Sequence, residues 1–184
     1  LWIFYKNDEY KMDYLVQLIT KRVSLGKEKS GTEDLALKML NDNGINKENT
    51  QLLNNSTEEA KDLLIKGEID AIFIVSSPNS KTIKELLENP DIKLFNFKRA
   101  KAYSRKYTFL ESTPLYEGTI DLYRNLPNED INLLSTTANL IVRNGFSDEL
   151  TRLILKEIKK VHNKKELFEA ANQFPNIENL TIDI

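Results

Sequence analysis

Ile69-Asp70-Ala71-Ile72-Phe73-Ile74-Val75 is the stretch of the sequence that decides the fold. It carries one charge, and its last five residues are all apolar. A short apolar run of this kind is typical of a strand that is buried on both faces, as in a parallel sheet covered by helices on both sides. We therefore predict an α/β protein in which residues 71–75 are among the most buried.

Turn and helix signals on either side of this strand extend the pattern. Ser56 and Glu59 have the spacing of a capping box, and Gly44 and Gly67 stand where helices end. Strands that alternate with helices predict an open, mostly parallel sheet with helices on both faces. The predicted elements are strands over residues 1–5, 21–26, 51–53 and 92–97 and helices over residues 32–43, 56–66 and 80–88.

The second half of the sequence continues with less regular signals. Ser147 precedes an apolar pattern of helical spacing, which predicts a helix that runs to Lys160. The other predicted elements are a helix over residues 99–110, an extended segment over 113–122, a strand over 133–142, a short helix over 164–171 and an extended tail to residue 184.

The composition is that of a soluble globular chain. Hydrophobic residues make up 40% of the 184 residues, which suffices for a packed core. The net charge of −2 provides no positive field to hold nucleic acid. The uncharged run over residues 131–142 is too short for a bilayer span, which needs about 20 residues. Because the sequence begins at Leu1 without a signal segment, we expect any export signal or anchor to lie outside this chain.

Few residues point to catalysis or to metal binding. Cysteine is absent and His162 is the single histidine, which excludes disulfides, thiol nucleophiles and His-rich metal sites. No nucleophile with an adjacent base and no carboxylate pair can be singled out, so we predict no catalytic residue, no metal and no cofactor. The basic, aromatic stretch over residues 98–107 has the composition of an RNA-binding surface, but a solvated helix face explains it better at this net charge.

Ser30-Gly31-Thr32 is the best candidate for a ligand-binding site. These residues stand at the start of the predicted helix over 32–43, where unpaired N–H groups and a partial positive charge are available. Gly31 allows a ligand to approach the backbone, and the two hydroxyl groups can donate, so the turn suits a carboxylate or a phosphate. Simple N-capping of the helix is the alternative reading. The glycine spacing matches neither a Walker loop nor a dinucleotide fingerprint.

The order of several segments gives a further indication. In chain order they are Leu1-Trp2-Ile3-Phe4-Tyr5, Lys21-Arg22-Val23-Ser24-Leu25-Gly26, Ser30-Gly31-Thr32-Glu33, Gly67-Glu68-Ile69-Asp70-Ala71-Ile72-Phe73, Leu115-Tyr116-Glu117-Gly118 and Asn139-Leu140-Ile141-Val142. In combination they resemble the second half of the TAXI family, the solute-binding receptors of one class of TRAP transporters. The resemblance covers nearly the whole chain.

The resemblance implies the type II periplasmic-binding-protein fold, in which two α/β lobes joined by crossing strands enclose a small solute. Residues 1–5 would be a crossing strand, residues 6–112 the second lobe, and residues 113–184 a return segment that completes part of the first lobe. The resemblance also implies ligand contacts for Ser30, Gly31 and Thr32.

Five further residues complete the predicted binding site. Phe4 and Tyr5 match hinge aromatics that face the cleft in the family, although burial alone would explain them. Tyr116 falls where the family often has proline before a glycine. Ser76 and Ser77 end the strongest strand, at the carboxyl edge where open sheets bind ligands.

On these grounds we expect a receptor and not an enzyme. It would bind a small anionic solute, a carboxylate or an amino acid, and pass it to TRAP membrane subunits from a periplasmic or other extracytoplasmic location, with or without a membrane anchor in the parent protein. A ligand-sensing regulatory domain of the same fold is the alternative. Apolar faces at residues 140–142 and along Leu153, Ile154 and Ile158 predict a homodimer, because monomers rarely leave such patches exposed.

Overall fold

The computed structural model describes residues 1–7, 11–136, 140–162 and 167–168. Strands and helices alternate through most of this part of the chain. The strands are β1 (Trp2–Lys6), β2 (Arg22–Ser24), β3 (Gln51–Leu53), β4 (Ala71–Ile74), β5 (Ile92–Leu94), β6 (Leu110–Leu115) and β7 (Ile131–Thr136). The helices are α1 (Gly31–Asp42), α2 (Thr57–Lys66), α3 (Lys81–Glu88), α4 (Ala100–Lys106) and α5 (Asp148–Val161), with a short 3₁₀ helix at Leu15–Leu18.

A mixed sheet of five strands forms the centre of the fold, in the order β3-β2-β4-β1-β5. β2 pairs in parallel with β3 and β4, whereas β1 runs antiparallel to both of its neighbours, β4 and β5. The predicted α/β fold is confirmed, with β1 as the one reversed strand of this sheet. Its partners lie far along the chain, since Trp2 pairs with Ile74 and Phe4 with Leu94. The local alternation of strands and helices therefore could not predict that β1 runs antiparallel.

Helices cover both faces of this sheet. The odd-numbered residues of β1 and β4, which include Phe73, lie in one buried cluster with the apolar side of α1. Because side chains alternate along a strand, the even-numbered residues point to the opposite face, where α2 contacts both strands. Trp2, Phe4, Ile72 and Ile74 are buried on that face. Val75 is the exception to the predicted burial, since it lies beyond the end of β4 and is 40% exposed.

Several helix boundaries fall where the sequence predicts them. Ser30, Ser56 and Ser147 each accept a hydrogen bond from a backbone N–H in the first turn of α1, α2 and α5 respectively. Gly67 ends α2 with a φ of 75°, a left-handed conformation that glycine adopts without steric cost. These boundaries depend on local chemistry, which is why the sequence alone reveals them.

The segment after β5 differs from the prediction. α4 ends at Lys106, and Leu110 is a buried strand residue instead of the last residue of a helix. β6 pairs antiparallel with β7, from Leu110 opposite Thr136 to Leu115 opposite Ile131. The long loop over residues 116–130 separates the two strands, so the sequence lacks the short turn that would predict their pairing.

The chain divides into two compact units, Leu1–Thr137 and Ala138–Ile184. In the second unit, α5 has no buried residue among those that are described. Leu140, Ile141 and Val142 lie outside the strands and are 48%, 86% and 44% exposed. The prediction of a strand over residues 133–142 is therefore wrong at residues 140–142, and residues 137–139 lie outside the described part of the chain. β6 begins at Leu110, opposite Thr136, and the chain turns immediately before Leu110. Residues after Thr136 therefore have no partner in β6.

Some predictions for the later part of the chain are not tested. The helix predicted over residues 164–171 and the extended tail lie outside the described residues, except for residues 167 and 168. The lobe boundaries at residues 1–5, 6–112 and 113–184 stay predictions, as does the homodimer.

Candidate functional site

One edge of the five-stranded sheet gathers most of the polar residues that are predicted to bind a ligand. Because β2, β3 and β4 point the same way, their carboxyl ends at Ser24, Leu53 and Ile74 lie along the same edge. α1, α2 and α3 follow these strands and begin from this edge. The start of a helix carries a partial positive charge, so this carboxyl edge attracts anions.

Ser30-Gly31-Thr32 stands at the start of α1. Ser30 Oγ accepts a hydrogen bond from the Glu33 N–H at 3.2 Å, and the Lys29 N–H donates to the Glu33 carboxylate at 2.5 Å. Within the described part of the chain, the N–H groups of Gly31 and Thr32 have no acceptor. Gly31 is exposed, and a Cβ at this position would meet no atom within 4 Å. A ligand can therefore approach the backbone here.

Two buried oxygens without a partner lie at the same edge. Ser24, the last residue of β2, is fully buried, and its hydroxyl has no hydrogen-bond partner among the described residues. Asn55 Oδ1, which follows β3, is likewise buried without a partner in that part of the chain. A buried polar atom left unpaired is destabilising, so such atoms point to water or to a ligand.

Asn54 connects the two loops at this edge, and sequence reasoning missed it. Its side-chain N–H group donates to the Gly26 carbonyl at 3.1 Å and to the Glu33 carboxylate at 2.7 Å. Asn54 thereby ties the loop after β3 to the first turn of α1. The available signal was an Asn-Asn pair directly after a strand, a position where an amide side chain reaches the neighbouring loop.

Ser76 and Ser77 lie in the turn after β4, at the same edge, and both are exposed. The Ser76 carbonyl accepts a hydrogen bond from Trp2 Nε1 at 2.9 Å. Ser77 Oγ accepts from the Asn79 N–H at 3.2 Å. The structure thus brings Ser76 and Ser77 to the edge from which α1 begins, and their role as ligand contacts stays a prediction.

Phe4 and Tyr5 lie in the core of the first unit. Phe4 is fully buried and stacks on Trp2 with ring centroids 6.3 Å apart. The Tyr5 hydroxyl accepts a hydrogen bond from the Met12 N–H at 3.2 Å, and burial raises the pKa of Tyr5. Core packing accounts for both aromatic rings in this structure. Their role at a cleft stays a prediction.

Tyr116 lies apart from the other predicted residues, at the start of the loop between β6 and β7. Its side chain is exposed, and its carbonyl accepts hydrogen bonds from the N–H and the hydroxyl of Thr119 at 3.1 and 2.6 Å. Among the described contacts, none joins Tyr116 to the start of α1.

The chemistry available at the carboxyl edge is that of binding. It offers backbone N–H groups, hydroxyls and amides, which form hydrogen bonds to a small polar molecule. Among the described residues, no cluster of His, Asp or Glu side chains could hold a metal ion.

The whole sequence identifies the family. A model of the NMT1-like family matches residues 2–183. The chain belongs to the NMT1-like family. No curated protein matches the sequence. In the described part of this NMT1-like chain, none of the helices has both the length and the apolar character needed to cross a bilayer.

Three solved structures are similar to parts of this NMT1-like chain. The periplasmic aliphatic sulphonate binding protein SsuA from Escherichia coli is 17% identical, with a TM-score of 0.42, over 50% of this chain and 28% of its own length. An ancestral arginine-binding protein bound to arginine is 22% identical, with a TM-score of 0.39, over 51% and 39%. The substrate binding protein of an amino acid ABC transporter is 16% identical, with a TM-score of 0.44, over 87% and 53%. The chain thus spans between 28% and 53% of the length of these proteins.

Proposed function

We propose that this NMT1-like chain is part of a solute-binding receptor that holds a small anionic solute, a carboxylate or an amino acid, at the carboxyl edge of its sheet. The observation that carries the proposal is the connection from β2 to α1. Gly31 is exposed there, and the N–H groups of Gly31 and Thr32 have no acceptor among the described residues. Unpaired donors at a positive helix end stabilise a negative charge.

The type of site favours a receptor over an enzyme. A receptor needs donors and acceptors that match the solute, and the carboxyl edge supplies them. An enzyme would need in addition an acid, a base or a nucleophile aimed at the bound molecule. The resemblance to the TAXI receptors extends the proposal to an extracytoplasmic location and to TRAP-type membrane subunits as partners.

The substitution Gly31→Pro tests the site directly. Gly31 is the first residue of α1, a position where proline is well tolerated because its missing N–H has no helical partner. Ser30 has extended backbone angles, φ −89° and ψ 154°, which suit a residue before proline. The change therefore removes one N–H donor of the proposed site and leaves the helix intact. Asp148→Pro is the matched control, since Asp148 occupies the same position in α5 after Ser147.

Isothermal titration calorimetry would follow the binding of L-glutamate, succinate, methanesulfonate and inorganic phosphate. We expect one of the carboxylates to bind the unaltered chain, and Gly31→Pro to weaken that binding about tenfold, since a hydrogen bond to a charged group contributes about 1.5–3 kcal/mol. Asp148→Pro should bind as tightly as the unaltered chain. Equal binding by both variants, or binding of none of the four anions, would contradict the proposal.

A further inference from the structure

The loop between β6 and β7, residues 116–130, presents three large hydrophobic side chains to solvent: Tyr116 at its start, and Leu122 and Tyr123 further along. Leu122 is 88% exposed and Tyr123 is 98% exposed, and together they form the tip of this β6–β7 loop. At the base of the loop, Leu115 and Ile131 are buried. The tip therefore projects from a well-packed part of the first unit.

Hydrogen bonds across the loop hold the tip in place. The Gly118 N–H donates to the Pro127 carbonyl, and the Ile120 N–H donates to the Leu126 carbonyl, both at 2.8 Å. Under the tip, the Asp121 carboxylate accepts from the N–H groups of Tyr123 at 2.9 Å and Arg124 at 3.0 Å. A braced loop loses little conformational freedom when it binds, which favours affinity.

A contact outside the loop adds to this bracing. Arg124 forms ion pairs with Asp121 and with Glu88 at the end of α3, both at 3.3 Å. Asn125 donates to the Glu117 carboxylate at 2.6 Å. The exposure of Leu122 and Tyr123 is thus a property of a structured loop, and aromatic side chains presented in this way are typical anchors of protein interfaces.

The charge of the loop decides which partner fits the tip. The loop contains four acidic residues, Glu117, Asp121, Glu129 and Asp130, and one basic residue, Arg124. Arg124 pairs with Asp121, and Lys11 pairs with Glu129 from outside the loop, so the surroundings of the tip keep a net negative charge. An anionic membrane surface repels such a loop, since interfacial anchors are usually rich in lysine and arginine. An apolar pocket with a basic rim complements both the tip and its acidic surroundings.

We propose that the tip, Leu122 and Tyr123, docks into an apolar pocket with a basic rim on the membrane subunit of the transporter. This inference rests on the proposed receptor function for the identity of the partner. It adds a second surface, separate from the carboxyl edge, that recognises protein instead of solute.

The test uses the full-length receptor and TRAP-type membrane subunits held in nanodiscs, with binding measured by biolayer interferometry. The double variant Leu122→Ser/Tyr123→Ser removes the tip without disturbing any buried residue. Val16→Ser is the control, because Val16 is an apolar residue of the 3₁₀ helix that is 48% exposed. We expect the double variant to weaken docking more than about tenfold, as loss of an interface anchor does, and the control to dock normally.

Three results would overturn the docking proposal. These are normal docking by the double variant, tip-dependent binding to protein-free vesicles of anionic or zwitterionic lipid, and cross-linking of the tip to a second copy of the receptor. The solute titrations with the same variants separate the two proposals. If the double variant loses docking and still binds the solute, both the docking proposal and the solute-site proposal are supported. If the unaltered chain docks but binds none of the test anions, the docking proposal is supported and the solute-site proposal is contradicted.

Discussion

Residues 71–74 and residues 140–142 are equally apolar, and their places in the structure are opposite. The four residues of β4 are at most 3% exposed, whereas residues 140–142 are between 44% and 86% exposed. β4 lies between β1 and β2 and is covered by helices on both faces. Residues 140–142 follow β7, whose pairing with β6 ends at Thr136. The comparison shows that apolar composition makes a segment suitable for burial. Whether the segment is buried depends on the strands and helices that pack against it.

The largest expected difference between these two segments is in the free energy of unfolding. Phe73→Ala should lower it by about 3–5 kcal/mol, because the substitution leaves a cavity in a fully packed cluster. Ile141→Ala should change it by less than about 0.5 kcal/mol, because Ile141 is 86% exposed. Urea denaturation followed by circular dichroism measures both. Similar losses at the two positions would show that residues 140–142 are also packed in solution.

An intermediate effect is expected from the ion pair beside β4. Asp70 accepts three hydrogen bonds from Arg22, at 2.7, 2.8 and 3.0 Å, and these join the start of β2 to the start of β4. Burial by itself raises the pKa of the Asp70 carboxyl, but the hydrogen bonds from Arg22 outweigh it, and the pKa is lowered overall. Asp70→Asn should cost about 2 kcal/mol at neutral pH, because it removes charge-assisted hydrogen bonds.

The pH dependence of this ion pair follows from the lowered pKa. Its contribution is complete above the pKa of an unfolded aspartate, about 4, and is lost as the pH falls through the lower pKa of the folded state. Urea midpoints at neutral pH and in acid should therefore differ less for Asp70→Asn than for the unaltered chain. An equally steep acid loss in both would show that other carboxyl groups dominate.

The smallest expected effect comes from two matched helix caps, one in each compact unit. Ser56 Oγ accepts from the Glu59 N–H at 3.3 Å in α2, and Ser147 Oγ accepts from the Leu150 N–H at 3.4 Å in α5. Ser56→Ala should lower the free energy of unfolding by about 1 kcal/mol, because α2 packs on the central sheet. Ser147→Ala should fray α5 and leave the main transition unchanged, as α5 buries no residue in the described part of the chain. Hydrogen exchange and thermal melting distinguish the two outcomes, and a lower melting temperature for Ser147→Ala would contradict this prediction.

The features that could be predicted from the sequence are those that nearby residues determine. Ser30, Ser56 and Ser147 cap helices because each lies three residues before the N–H that it accepts from. Gly67 ends a helix because it tolerates a positive φ. The sequence therefore sufficed to predict the helix starts, the strong strand β4 and the α/β class.

The features that escaped prediction depend on residues that are far apart in the chain. The reversal of β1 depends on pairing between Trp2 and Ile74, and Leu110 is a strand residue because it pairs with Thr136. Asn54 was missed for the same reason, since its importance comes from the Glu33 carboxylate in another loop. Of the candidate site, the start of α1 was predictable, while the unpartnered hydroxyl of Ser24 required the structure.

The position of β1 between β4 and β5 has a consequence for how the protein is made. β1 precedes both partners, and the second one is complete only at Leu94. Ribosomes add about 5–20 residues per second, so the apolar segment over residues 1–5 waits on the order of ten seconds before strands for both of its edges have been synthesised. Such a segment is prone to pair with other nascent chains during that interval. A chaperone that shields residues 1–5 until β5 has been synthesised would therefore raise the yield of native protein, even though the finished sheet buries Trp2–Tyr5.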